Sequence, residues 1–409
     1  MGSKPIAIIM CDYWSPHKSA NSICVEKLVG SLSSRYEVKV IAVDGSDAPN
    51  SPSAVAVGDI SINRLLRKTE QRPFANRMVK IAYKAVVASH VPRYPLRSME
   101  WAGRYEQACR EMLVSGGVEI VVATCFPGEC LEAAIRLKRD FPSVRFVAYF
   151  LDEVAVGMYR KGAAMRRVTE RAAVRFEKRA IGALDGALFL SGAKGLVGQN
   201  HPEAVKKIAY VDVPLMTKDT VSHRFTLDES GAPTILYAGT LADPDRNPTR
   251  FIEALLPDGA TGGIRLKFAG DTAGLLEDED RADKLGFLTP DACDAEMEQS
   301  TALLSIGNRD PNLVPSKLFK YMSLGKPIIH LRRGERDSCL PYLDRYPLAL
   351  VVDDDQEGFE KVVLGFLSSL PEKDGLEIPL RELFPMAYPD YTVHAIENVG
   401  TDNHEIERK

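Results

Sequence analysis

Val314-Pro315-Ser316-Lys317-Leu318-Phe319-Lys320-Tyr321-Met322-Ser323-Leu324-Gly325-Lys326-Pro327-Ile328-Ile329 reads as a loop that opens a short helix, then a Gly-Lys-Pro turn, then a buried strand. A helix opening at Pro315-Ser316 turns free backbone N–H groups and the positive end of its dipole towards whatever cleft it faces. Lys317 and Lys320 add charge one turn apart. At the edge of a sheet this is the chemistry of a diphosphate site.

Around it, β-branched apolar runs alternate with helical patterns, the mark of a parallel α/β sheet. In the second half the predicted strands are 234–238, 264–269, 303–306, 327–331 and 348–352, with helices at 248–256, 292–300 and 317–323. The first half carries its own series. Its strands are predicted at 5–11, 38–43, 120–123, 146–151, 186–190 and 207–210, with helices such as 22–34, 105–115 and 165–184. Residues 44–61 are rich in Ser, Pro, Gly and Asp and read as a loop. The segment 213–233 has few periodic apolar residues and reads as a linker. The expected organisation is therefore α/β, with two Rossmann-like domains facing a cleft. They span 1–215 and 216–379, and a C-terminal helical tail, 380–409, returns to the first.

At 409 residues the chain exceeds one ordinary core, which also favours two domains. A net charge of −4 argues against a nucleic-acid partner. The seven cysteines are scattered, with no CxxC spacing, so neither a zinc site nor a disulfide framework is expected. They fit a reducing cytosol. No apolar run is long enough to span a membrane, and no secretory leader is evident. Two stretches are locally basic. Arg64–Arg110 has eleven Lys/Arg against three acids, and Arg160–Arg179 has eight against two. These are either solvated helix faces or a surface that docks on anionic membrane.

Ligands of open parallel sheets sit beyond the carboxyl ends of the strands. Gly239 and Thr240 follow one such strand, and Arg246 precedes a helix. Either this is turn chemistry, or Gly239 admits a ligand to the backbone while Arg246 grips phosphate as a forked donor. GxGxxG is absent, so Gly270 and Gly274 read as turn residues and nicotinamide chemistry is disfavoured. For Gly286, Phe287 and Leu288 two readings stay open. Phe287 belongs to the core, or the segment meets a nucleobase edge. His17 and Asn21 lie at the start of a helix, which they either cap or offer to an anion. Asp152 ends a strand, where a carboxylate is either solvated or takes a proton from an acceptor hydroxyl. No nucleophile-elbow triad is present.

Ile235-Leu236-Tyr237-Ala238-Gly239-Thr240-Leu241 with Arg246-Asn247, and Pro315–Pro327, carry a resemblance to the GT-B fold glycosyltransferases, in particular the family 4-like retaining group of bacterial polysaccharide assembly. Weaker support comes from Tyr13–Asn21 and from Phe176–Ala180 ahead of Ala183-Leu184-Asp185. The resemblance implies a nucleotide-sugar donor held by the C-terminal domain and a saccharide or lipid-linked acceptor held by the N-terminal one. It assigns Arg246 and Lys317 to the donor diphosphate, with Ser316 beside them, and Gly286–Leu288 to the base. It places Asp152 on the acceptor side as the catalytic candidate. Several positions depart from the pattern, among them Ser19-Ala20-Asn21, where a glycine pair is expected after the first strand. Asn312 and Lys320 stand where the family carries glutamates, and the second of these accepts hydrogen bonds from ribose, whereas an ammonium only donates. Thr240 replaces a residue that is often basic. Lys320 therefore either serves an extra anionic group or marks lost activity.

The function expected from the sequence is a retaining glycosyltransferase with the nucleotide-sugar as co-substrate. It needs no cofactor and, lacking a DxD motif with an apolar lead-in, no metal. It is cytoplasmic, with docking on the inner face of the membrane as one expectation. Two alternatives remain: a non-catalytic scaffold or sugar-binding partner, and a sugar-nucleotide epimerase.

Overall fold

The computed structural model describes residues 4–14, 20–44, 54–69, 73–152, 154, 163–241, 246–257, 263–272, 274–277, 279–308, 312 and 314–401. The chain divides into two compact units, one of residues 1–214 with 389–409 and the other of residues 215–388.

The first unit holds a seven-stranded parallel sheet. Its strands are β1 (Ile6–Met10), β2 (Glu37–Ala42), β3 (Ala54–Ala56), β4 (Val118–Cys125), β5 (Arg145–Phe150), β6 (Gly186–Leu190) and β7 (Ile208–Val211), in the order β3-β2-β1-β4-β5-β6-β7. Helices α1 (Ala20–Leu32), α2 (Ser61–Thr69), α3 (Pro73–His90), α4 (Met99–Ser115), α5 (Gly128–Asp140), α6 (Ala163–Ala183) and α7 (Lys194–Asn200) connect them. The strands are apolar on both faces because helices cover both, as parallel sheets require. Ile8, Val121, Phe146, Ala148 and Phe189 lie in one core with Tyr105, Leu131 and Phe176 from the helices. Phe150 stacks on Phe189 with ring centroids 4.3 Å apart.

Two expectations change here. The segment 44–61, read as loop, contains β3, a three-residue edge strand paired with β2. Helix α4 begins at Met99 rather than 105, because the Ser98 hydroxyl caps it by accepting from Trp101 N.

The second unit opens with β8 (Val221–Ser222). Its parallel sheet consists of β9 (Thr234–Ala238), β10 (Arg265–Ala269), β11 (Asp283–Gly286), β12 (Ala302–Ile306), β13 (Ile328–Leu331) and β14 (Ala349–Val352), in the order β11-β10-β9-β12-β13-β14. Between them run α8 (Thr249–Leu255), α9 (Pro290–Gln299), α10 (Ser316–Ser323) and α11 (Leu340–Leu343), and α12 (Phe359–Ser369) and α13 (Leu380–Leu383) follow β14. A short strand β15 (Glu377–Ile378) pairs antiparallel with β8. The stretch 213–233 is therefore only briefly a connector, since most of it belongs to the second unit through β8.

The last helix, α14 (Pro389–Asn398), belongs to the first unit, whereas 380–388 pack with the second. It packs on α1, β6 and β7. Val393 and Ile396 are buried, and so is Val399 beyond its end. The Arg145 guanidinium donates to the carbonyls of Ile396, at 3.0 Å, and Val399. Gly186 is required by this close approach, because a Cβ there would lie 2.3 Å from a Val399 methyl. No helix among the described residues is long and apolar enough to cross a membrane.

Candidate functional site

Strand order reverses in the second unit where β9 meets β12, and the crevice beyond the carboxyl ends there is the expected ligand position. Three sequence-selected residues meet at this point. The Lys317 side chain, from the first turn of α10, reaches back across β9, and its Nζ donates to the carbonyl of Ala238 at 2.8 Å. The same ammonium lies over the Tyr237 ring, 4.3 Å from its centroid. Gly239 makes room for it. A Cβ at 239 would stand 2.0 Å from Lys317 Nζ, and the backbone there has φ +148°.

Arg246 comes to the same place. Its Nε and Nη2 donate to Asn308 Oδ1 at 3.2 and 2.7 Å, which fixes the guanidinium plane. Arg246 also hydrogen-bonds the Tyr237 hydroxyl, which itself donates to the Thr240 carbonyl at 2.9 Å. Burial, then the nearby Arg246 charge, brings the Lys317 ammonium down to a pKa of about 7. Two cations gathered this closely, with no carboxylate paired to Lys317 among the described residues, are costly unless an anion joins them. No side chain caps the start of α10, so its first-turn N–H groups add to the positive end. Ser316 is half-buried in that turn.

The rest of the predicted donor set spreads along this rim. Thr240 is exposed and contributes its carbonyl. Gly286 closes β11, and its carbonyl accepts from Gly270 N at 2.7 Å. Phe287 is 85% exposed, so the core reading fails. Leu288 beside it is half-buried. Asn312 is half-buried and has a partner of its own. Lys320 is engaged in an ion pair, its Nζ 2.7 Å from Asp294 Oδ2 on α9.

In the first unit, Asn21 and Asp152 meet. Asn21 Nδ2 donates to Asp152 Oδ2 at 3.0 Å, joining the start of α1 to the end of β5. Burial raises the Asp152 carboxyl above the usual carboxylate range, against the opposing pull of that hydrogen bond. His17 lies outside the described residues.

Sequence reading missed Tyr237 as the floor of the site, Asn308 as the brace of Arg246, and Asp294 as the partner of Lys320. It also passed over Asp353 and Asp354 after β14. Their carboxylates are held by paired bonds from Arg332 and Arg333. Among the described residues, one trio with metal-ligand chemistry brings its atoms within 4.8 Å of one another, namely His330, Asp337 and Cys339. Both His330 nitrogens are already engaged, with Ser305 Oγ at 3.0 Å and Asp337 Oδ2 at 2.9 Å, so the cluster reads as a filled buried network.

The architecture is the GT-B fold. WaaB, a lipopolysaccharide outer core galactosyltransferase in its apo form, matches with a TM-score of 0.55 at 14% identity, covering 96% of this chain and 98% of that one. HepE of Anabaena, in complex with UDP-glucose, matches with a TM-score of 0.57 at 9% identity, over 98% and 99% of the two chains. A UDP-N-acetylglucosamine 2-epimerase matches with a TM-score of 0.52 at 11% identity, over 100% and 98%. No family model and no curated protein sequence matches the chain.

Proposed function

We propose that this protein is a glycosyltransferase that draws a sugar from a nucleoside-diphosphate donor and passes it, with retention, to a saccharide or lipid-linked acceptor. The observation that carries this reading is the convergence of Lys317 and Arg246 over Tyr237 at the reversal point of the second sheet. An ammonium and a guanidinium held there would take the donor diphosphate. They would stabilise the charge that grows on it as the sugar departs, with no cofactor and no divalent ion needed. HepE, whose solved complex holds UDP-glucose, gives the first donor to try.

The other roles follow from position. Phe287, exposed beside Gly286, offers a face to the nucleobase. Asp294 supplies the acceptor oxygens that position 320 lacks. Lys320 holds that carboxylate beside the last turn of α10, where ribose hydroxyls would donate to it. Lys320 is then a positioning residue rather than a sign of lost activity. Asp152, its carboxyl raised by burial, serves the acceptor hydroxyl as a proton acceptor, with Asn21 orienting it.

Calorimetric titration of UDP-glucose tests the donor site. Arg246→Ala and Lys317→Ala should each weaken binding by about 1.5–3 kcal/mol, as expected for a charge-assisted bond. Unchanged affinity in both would refute the placement. UDP release only when acceptor is added, with turnover surviving a chelator, would support transfer. Release of an altered free sugar without acceptor would point to epimerase chemistry. Proton NMR of the product gives the anomeric outcome.

A further inference from the structure

Away from Asp152, the first unit carries a second feature with ligand chemistry. A pocket of about 410 Å³ opens where α6 meets the 3-10 turn Val91–Arg93. Its floor is apolar, with Tyr94 and Phe176 buried and Met99 half-buried. Its rim carries the guanidinium groups of Arg93, Arg175 and Arg179. The one acid among its described lining residues, Glu132, is neutralised twice, by Arg136 at 3.1 Å and by Arg179. Arg93 and Arg175 are exposed, and neither pairs with a carboxylate among the described residues. The pocket therefore presents uncompensated positive charge above an oily base.

Helix α3 runs directly into that turn. Its middle is exposed over Arg77, Met78 and 80–85, and Met78 and Ile81 are each more than half accessible. On a helical projection, Arg77, Lys80 and Lys84 form one stripe, and Met78, Ile81 and Ala85 form the next. No Asp or Glu occurs between 71 and 99. A globular protein rarely leaves such an apolar stripe uncovered. The cations beside it name the chemistry of the cover, a surface both oily and anionic.

We propose that the arginine-rimmed pocket receives the headgroup phosphate of an anionic phospholipid, and that α3 lies along the bilayer beside it with Met78 and Ile81 inserted among the acyl chains. The proposal is independent of the donor site in the second unit.

The test is co-sedimentation of the full chain with phosphatidylglycerol–phosphatidylcholine vesicles, and with phosphatidylcholine alone, at low salt. The wild type should sediment with the first and not the second. Arg93→Ala/Arg175→Ala should lower partition by about thirtyfold, since each basic residue near the surface is worth about fivefold. Met78→Asp/Ile81→Asp should abolish sedimentation while leaving the melting temperature in place. UDP-glucose affinity should be unchanged in both variants, so failure here leaves the transferase reading standing. Absence of sedimentation, equal sedimentation with phosphatidylcholine alone, or full partition of the arginine variant would each overturn the proposal. So would binding of inorganic phosphate that depends on Arg93 and Arg175 when vesicles do not bind, which would mark a site for a dissolved phosphate compound.

Discussion

Raising the pH from about 7 to about 8.5 removes the charge from Lys317 in the free protein, whose ammonium burial brings down to about 7. A bound pyrophosphate would restore that charge by supplying the missing counter-ion, returning the pKa towards the ordinary 10.5. Binding then takes up a proton. Linkage fixes the sign: the bound state holds more protons than the free state above about pH 7, so affinity falls as pH rises. With these two pKa values the loss is about fifteenfold between pH 7 and 8.5, whereas from pH 6 to 7 it is only about twofold. UDP-glucose suits the measurement because neither phosphate of its diester titrates in this window. Calorimetry in two buffers of different ionisation enthalpy counts the proton directly, with uptake of about one half at pH 7 and nearly one at pH 8. Lys317→Arg, which keeps the charge at every pH used, should flatten both curves. A pH-independent affinity with no proton uptake in the wild type would show that the ammonium does not meet the diphosphate.

Three other perturbations bear on the same account. Gly239→Ala would place a Cβ 2.0 Å from Lys317 Nζ on a backbone at φ +148°. It should displace the ammonium and cost about 1–3 kcal/mol of stability, seen as a lower melting temperature together with lost UDP-glucose binding. Phe287→Ala removes a ring that is 85% exposed. Melting should be unchanged while nucleotide affinity drops by about 1–3 kcal/mol, the range for a stacked base. Arg145→Ala strips the donors from the buried carbonyls of Ile396 and Val399. It should cost about 1.5–3 kcal/mol and open the 389–401 segment to limited proteolysis, with nucleotide affinity intact.

The sheets were legible because buried parallel strands are written as short apolar runs. Thr234–Ala238 and Gly186–Leu190 have the bounds expected for them. β3 was not, because an Ala-Val-Ala edge strand inside a Ser- and Gly-rich stretch carries no periodic signal and depends on its pairing with β2. At the site, glycine after a strand and cations at helix starts are local marks, and they led to Gly239, Arg246 and Lys317. What the sequence could not show is which side chains compensate one another. The pairing of Lys320 with Asp294 spans 26 residues, and Asn308 reaches Arg246 across 62. Such partners have no fixed spacing, because folding rather than helical or strand period brings them together. The exposure of Phe287 was equally invisible, since an aromatic after a strand suits core and ligand alike.

The placement of α14 has a consequence for how the protein is made. This helix of the first unit is encoded after the whole of the second, so the ribosome delivers it only after residues 215–388. Until synthesis passes Asn398, the apolar bed that receives Val393, Ile396 and Val399 on β6, β7 and α1 stays bare on the nascent chain. Through the making of residues 215–388, the N-terminal sheet is therefore nearly complete yet sticky, the state in which growing chains associate wrongly or recruit chaperones. A message cut short within that interval would yield an incomplete first unit prone to aggregation, not a small stable domain.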